Sequence, residues 1–236
     1  MKKILIAVLF FLIIVPFASK AQGQYDIRNS TTYRLSRGIY NRAVKYNDYN
    51  NAITALYGMC VLEPQNDSLL FTMEYLYYSN RNYFSAIMVA NDILMLNPGN
   101  MGAQEIKAIS LEQVGAKDKA LDEYESLYLK NSNNVNYLYK TVLLQFDLKR
   151  YKEARTNTDI LLSQKTIDTL IVSLPKGESG QQDVPIKASL HNLKGLIEQT
   201  EGNKDEAKKE FDTALAIKSD FYLAKQNLDA LLKQGK

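Results

Sequence analysis

Four alanines, Ala52, Ala86, Ala120 and Ala154, follow one another at intervals of 34 residues. Other positions keep the same step around them. Tyr49, Tyr83, Lys117 and Tyr151 stand three residues before each alanine, Met59, Ile93, Leu127 and Leu161 stand seven after, and Pro64 and Pro98 close the first two units. A period of this length means copies of one small unit, none able to bury its apolar face alone, each covered by its neighbours. Counted from Asp67 as position 1, the alanines fall at position 20 and the apolar residues at 27. Two antiparallel helices come close only where no long side chain separates them, so position 20 reads as a spacer.

The rest of the chain extends or interrupts this pattern. Gly115 and Gly202 fall at position 15, where a turn must separate paired helices. A fifth unit near Ala188 carries Gly195 at position 8, Ala207 at 20, Phe211 at 24 and Ala214 at 27. From Ala154 to Ala207 is 53 residues, one period plus 19. The surplus falls within 165–187, where Leu170, Val172 and Leu174 alternate with Ile171 and Ser173, 175–182 is turn-forming, and Val184 and Ile186 alternate again. That spacing predicts a β-hairpin, with a disordered loop as the other reading. As an insertion on an already complete array, it is expected to matter little for stability and to offer a second contact surface. At the front, Asn29-Ser30-Thr31-Thr32 supplies N-cap oxygens for a helix near Tyr33, whose inward stripe would be Leu35, Ile39, Ala43 and Val44. At the back, 221–233 reads as a capping helix with Leu223, Leu228, Leu231 and Leu232 inward.

Over about 33–233 these positions in register resemble the tetratricopeptide family. The resemblance implies an all-α fold, a right-handed α-α superhelix of about five helix pairs plus a C-terminal capping helix, with the β-hairpin as an insertion. The corresponding organisation is a signal peptide 1–21, a tether 22–32 and a repeat domain 33–236, with units near 33–66, 67–100, 101–134, 135–164 and 188–220. The units are degenerate. Position 4, usually a large aromatic, is Ser36, Leu70, Gln104, Leu138 and His191, and position 8 is glycine only in the fifth unit.

In this family the first helix of each unit lines a concave groove through positions 2, 5, 9 and 12. The resemblance therefore implies a partner-binding surface built on Arg37, Asn41, Phe71, Tyr75, Tyr78, Tyr139, Leu143 and Phe146. Unit three would contribute Gly102, Glu105, Ile109 and Glu112 to the same groove. Tyr77 and Leu144, by contrast, would point into the core. Aromatic side chains bury much area at low entropic cost and suit the anchoring of a peptide or helix. Arg37 and Asn41 match half of the clamp that some members use on peptide carboxylates. Ser68 and Thr72 stand where the other basic residues belong, so that specificity does not carry over. The function implied is a non-catalytic protein-interaction scaffold. The alternative is a structural or oligomerising module whose groove is covered by another copy or by the chain itself.

The N-terminus sets the expected compartment. Lys2 and Lys3 precede an apolar run over 4–17, and Ser19-Lys20-Ala21 has the small-x-small form of a cleavage site. The run is shorter than the roughly 20 residues that cross a bilayer, so it reads as a cleaved signal and not an anchor. Export to the bacterial periplasm follows, with no transmembrane segment in the mature chain and peripheral association with an envelope complex, such as an outer-membrane assembly or secretion machine. Cleavage removes three lysines from 29 basic groups, leaving 26 against 26 acidic ones. A neutral chain argues against nucleic-acid binding. The single cysteine, Cys60, permits no internal disulfide and lies too far downstream to carry an N-terminal lipid.

Chemistry is sparse. His191 is the only histidine and has no cysteine or histidine cluster around it, so no metal site and no cofactor is expected. Ser173 and Lys176 have Ser-x-x-Lys spacing, but that chemistry needs the serine at a helix start in a large α/β domain. No catalytic residue is assigned, and the chain reads as a non-enzyme.

Overall fold

The computed structural model describes residues 26–233, so the expected signal segment 1–21 lies outside the described residues. A short 3-10 turn, Ile27–Asn29, leads into five helix pairs: α1 Thr31–Lys45 with α2 Tyr49–Leu62, α3 Asp67–Ser79 with α4 Tyr83–Leu96, α5 Met101–Gln113 with α6 Lys117–Lys130, α7 Val135–Asp147 with α8 Tyr151–Leu162, and α9 Ile186–Thr200 with α10 Lys204–Ile217. An eleventh helix, α11, spans Tyr222–Lys233. Between α8 and α9 lie a 3-10 segment, Lys165–Thr169, and the antiparallel strands β1 Ile171–Pro175 and β2 Gln181–Pro185. Among the described residues no helix is long and apolar enough to cross a membrane.

Each helix pair is closed by the same local device. The residue at position 15 takes a left-handed conformation in all five units, with φ of 56° at Asn47, 58° at Arg81, 78° at Gly115, 61° at Lys149 and 87° at Gly202. The following N–H then reaches back over the turn. Asp48 donates to the Ala43 carbonyl at 2.8 Å, Asn82 to Tyr77 at 2.8 Å, Ala116 to Leu111 at 2.9 Å, Arg150 to Gln145 at 2.8 Å and Asn203 to Glu198 at 2.9 Å. This bond satisfies a carbonyl that the helix end leaves open. Several first helices start on a side-chain cap: Ser30, Asn66 and Asn100 accept from the N–H groups of Tyr33, Leu69 and Ala103.

The spacer alanines Ala52, Ala86, Ala120, Ala154 and Ala207 have no exposed surface. Opposite them, positions 8 and 24 trade volume. In the fifth pair a Cβ on Gly195 would come within 2.5 Å of the Phe211 ring, so only glycine fits there. In the second pair the large side chain stands on the other helix: Glu74 at position 8 and Ala90 at 24, both fully buried. Glu74 has 0 % exposure, and neither carboxyl oxygen has a hydrogen-bond partner. Burial pushes its pKa from 4.5 up to about 9, and the side chain is held as the neutral acid.

The hairpin belongs to the core, which corrects its reading as an addition to a finished array. Val184, paired with Val172, is fully buried against Ala188, Ala214, Phe221 and Ala224. The Gln182 amide donates to the Asp220 carbonyl at 2.8 Å and accepts the Tyr222 N–H at 3.0 Å, capping the start of α11. Ile167 and Ile186 join the cluster formed by α7 and α8. The 19 surplus residues thus fill the space between the fourth and fifth pairs and tie both to α11.

Two inward stripes are corrected at the ends of the array. On α1 it is Tyr33, Tyr40 and Ala43 that pack on the first core, whereas Leu35, Ile39 and Val44 are exposed: Leu35 and Ile39 because no second helix precedes α1 among the described residues, Val44 because it is at groove position 12. On α11 the inward residues are Ala224 and Leu231, with Leu223 and Leu228 packed beside them, and Leu232 faces outward.

Two measurements follow from this packing. The folded chain holds a proton on Glu74 that the unfolded chain releases above its ordinary value. Its contribution to stability is therefore fully present below 4.5 and is lost as pH rises towards 9. Glu74→Gln is expected to match the wild type near pH 5 and exceed it increasingly towards pH 9, by at most about 1.4 kcal/mol per pH unit, in urea unfolding across that range. Val184→Ala is expected to cost roughly 1 to 3 kcal/mol by the same assay, where a dispensable hairpin would show no loss.

Candidate functional site

The first helices lie side by side and are stitched together along one face. The Phe71 ring of α3 lies over Gly102 of α5, so close that a Cβ on the glycine would sit 3.1 Å from it. Tyr137 of α7 donates to Glu105 of α5 at 3.1 Å, and Lys140 donates to Glu112 at 3.1 Å. Tyr139 of α7 shares a 2.8 Å hydrogen bond with Ser189 of α9.

Along this face the expected site residues fall into different surroundings. Arg37 and Asn41 are exposed on α1. Tyr75 is 54 % exposed at the centre of α3, with Phe71 one turn before it and Tyr78 one turn after, both half-buried. Tyr78 packs at a tilt on Tyr83 of its own pair, ring centroids 6.1 Å apart, and Phe146 repeats the arrangement with Tyr151 at 5.6 Å. Leu143 is half-buried against the α7 to α9 core. Tyr139 does not reach the groove. It is 6 % exposed because α9 lies across it, and burial raises its phenol pKa. Tyr77 and Leu144 point inward as expected; Tyr77 bonds Tyr57 at 2.7 Å, and burial together with that bond pushes it up to about 12.

The electrostatic feature that separates the aromatic clusters is a pair of fixed carboxylates. Glu112 accepts from Tyr124 at 2.7 Å and from Lys140, while Glu105 accepts from Tyr137. Burial first, and these acids second, raise the pKa values of Tyr124 and Tyr137, so both phenols remain donors around neutrality. Glu105 and Glu112 stand at groove positions in the sequence, but Tyr137 and Lys140, which help to anchor them, come from the next unit. His191 is used within the fifth pair, with Nδ1 2.7 Å from Glu210. Ser173 lies within strand β1, where its hydroxyl donates to Gln181. Among the described residues no three potential ligands gather as a metal site.

No protein-family model matches the chain, and no curated protein matches its sequence. Solved structures do match. The structure of YrrB, described as a TPR protein with an unusual peptide-binding site, superposes with a TM-score of 0.63 over 81 % of this chain and 89 % of its own, at 15 % identity. The chain has the tetratricopeptide-repeat fold. MamA residues 41 to the end from Desulfovibrio magneticus RS-1 superposes with a TM-score of 0.60, covering 81 % of this chain and 98 % of that one at 14 % identity. A further MamA structure gives 0.62 at 19 % identity. In this tetratricopeptide-repeat array the groove is open over the first three units and closed at the fourth, where Ser189 reaches Tyr139.

That closure separates two tyrosines placed at comparable sites in their units. Tyr75→Ala is expected to change stability by less than about 0.5 kcal/mol. Tyr139→Ala should cost roughly 3 to 5 kcal/mol, and Tyr139→Phe about 1 kcal/mol, in denaturant titrations of the purified chain.

Proposed function

We propose that the chain is a non-catalytic scaffold that holds an extended segment or a helix of a partner protein against the face of its first helices. The observation that carries this reading is Tyr75: a large aromatic left more than half exposed, between Phe71 and Tyr78, while Ile109, Leu143 and Leu196 at the same position of later units are half-buried. Rigid aromatic side chains flanked by fixed charges are the usual anchors of protein interfaces. The fold shared with YrrB, whose structure is described as having a peptide-binding site, supports the same reading. Arg37 at one end and Glu105 in the middle give the groove a polarity, Glu112 being already paired with Lys140. A bound segment would set an acidic group towards α1 and a basic one towards α5. The alternative is a structural or oligomerising module whose groove is covered by another copy or by the chain itself, as Tyr139 is by α9.

The compartment belongs to the same proposal. The basic start, the apolar run over 4–17 and Ser19-Lys20-Ala21 support export to the bacterial periplasm, where the partner would be a component of an envelope assembly. N-terminal sequencing of the chain from cell envelopes is expected to begin at Gln22; a start at Met1 would overturn export. For the groove, in-cell crosslinking followed by binding measurements on the captured partner is expected to show Tyr75→Ala and Phe71→Ala each weakening the complex by about 2 kcal/mol. Unchanged affinity in both variants would remove this face as the binding site.

A further inference from the structure

The row Leu35, Ile39, Arg42 and Tyr46 runs along one edge of α1 at positions 3, 7, 10 and 14 of the unit. In the later units positions 3 and 10 of this row dock a first helix on the second helix before it. Ala103, at position 3, packs with Ile93 of α4; Tyr137 and Leu144, at positions 3 and 10, pack with Leu121 and Leu127 of α6. Among the described residues no helix precedes α1, and the row is bare: Leu35 is 64 %, Ile39 46 % and Tyr46 67 % exposed. Beside it opens a cavity of about 230 Å³ lined by Ile39, Arg42, Ala43, Tyr46, Asp48 and Asn51.

Charge narrows what can cover this edge. Helix α1 carries Arg34, Arg37, Arg42 and Lys45 and no acidic residue, and among the described residues none of the four cations is in an ion pair. Asp48, at the end of the row, is engaged as the cap of α2, accepting from Asn51 at 3.1 Å. We propose that this edge docks an acidic amphipathic helix of a partner protein, which takes the place of the second helix of a preceding unit. Its apolar seam would lie on Leu35, Ile39 and Tyr46, and its carboxylates would meet Arg42 within the row and Arg34 and Lys45 beside it, Arg37 being on the groove side of the helix.

Other occupants fit less well. The residues of this chain before Asp26 bring Lys2, Lys3 and Lys20 and no acid. A second copy meeting edge to edge would set Arg42, Arg34 and Lys45 against the same three cations. A lipid surface needs a broad apolar face, but the wider apolar face of α1, with Tyr33, Tyr40 and Ala43, is spent on α2, and Arg42 interrupts the narrow row that remains.

The probe is a synthetic helical peptide of about 18 residues. Its seam copies the buried row of α6, Ala120, Leu121, Tyr124 and Leu127, with glutamates on its other faces; a control carries lysines instead. Fluorescence anisotropy at low salt is expected to show the glutamate peptide binding at least about tenfold tighter than the lysine peptide, with the gap closing as salt is raised. Ile39→Asp should lose this binding without a change in melting temperature, while Tyr75→Ala, in the other groove, should keep it. Absence of binding, equal binding of both peptides, or loss through Tyr75→Ala and not Ile39→Asp would overturn the proposal. So would Ile39-dependent self-association in sedimentation, or Ile39-dependent adsorption to phosphatidylglycerol vesicles.

Discussion

The close approach of paired helices at five alanines without exposed surface is the contact on which the rest of the array depends. A methyl group at position 20 sets the distance between two backbones, and the remaining contacts within a pair adjust around it. The glycine facing Phe211 and the glutamic acid accompanied by Ala90 are two solutions to one volume constraint. The two helices of every pair are also joined through the same left-handed turn. Asn47, Arg81 and Lys149 accept a conformation that suits glycine better because the bond across the turn secures it.

What could be read from the sequence divides along this line. Position 20, the turn at position 15 and the prolines are local demands, felt within one pair, and they leave a periodic trace. The all-α superhelix and the hairpin were legible for that reason. Exposure of a given face depends on what lies beside it, and the period is silent there. Leu35 and Ile39 obey the pattern of an inward stripe yet lack a neighbour. Tyr139 obeys the pattern of a groove residue yet has one too many, since the fifth pair swings across it after the hairpin. Leu232 is bare because nothing follows α11 among the described residues. Each discrepancy falls where the array is interrupted or ends.

The groove shows the same dependence on neighbours. Its aromatic residues could be named from their positions, but the band that divides them arises between units. Glu112 is fixed by Tyr124 from its own pair and Lys140 from the next; Glu105 is fixed by Tyr137. An anchored acid loses little freedom when a cation approaches, so Glu105 discriminates by charge more sharply than a mobile carboxylate would, while Lys140 offsets Glu112. The face of the first helices therefore has a direction as well as an apolar surface.

The strands have a mechanical consequence. Helix α9 is buried on most of its faces, emerges directly from β2, and is overlain by α10, while Gln182 clasps the start of α11. To peel away the last pair, tension would have to strip the hairpin, α10 and α11 together. At the opposite end each pair is secured within itself and released by one interface at a time. The molecule is thus stiff at its C-terminal end and yielding at the other, so that a load applied between its termini would unzip it from α1 inward.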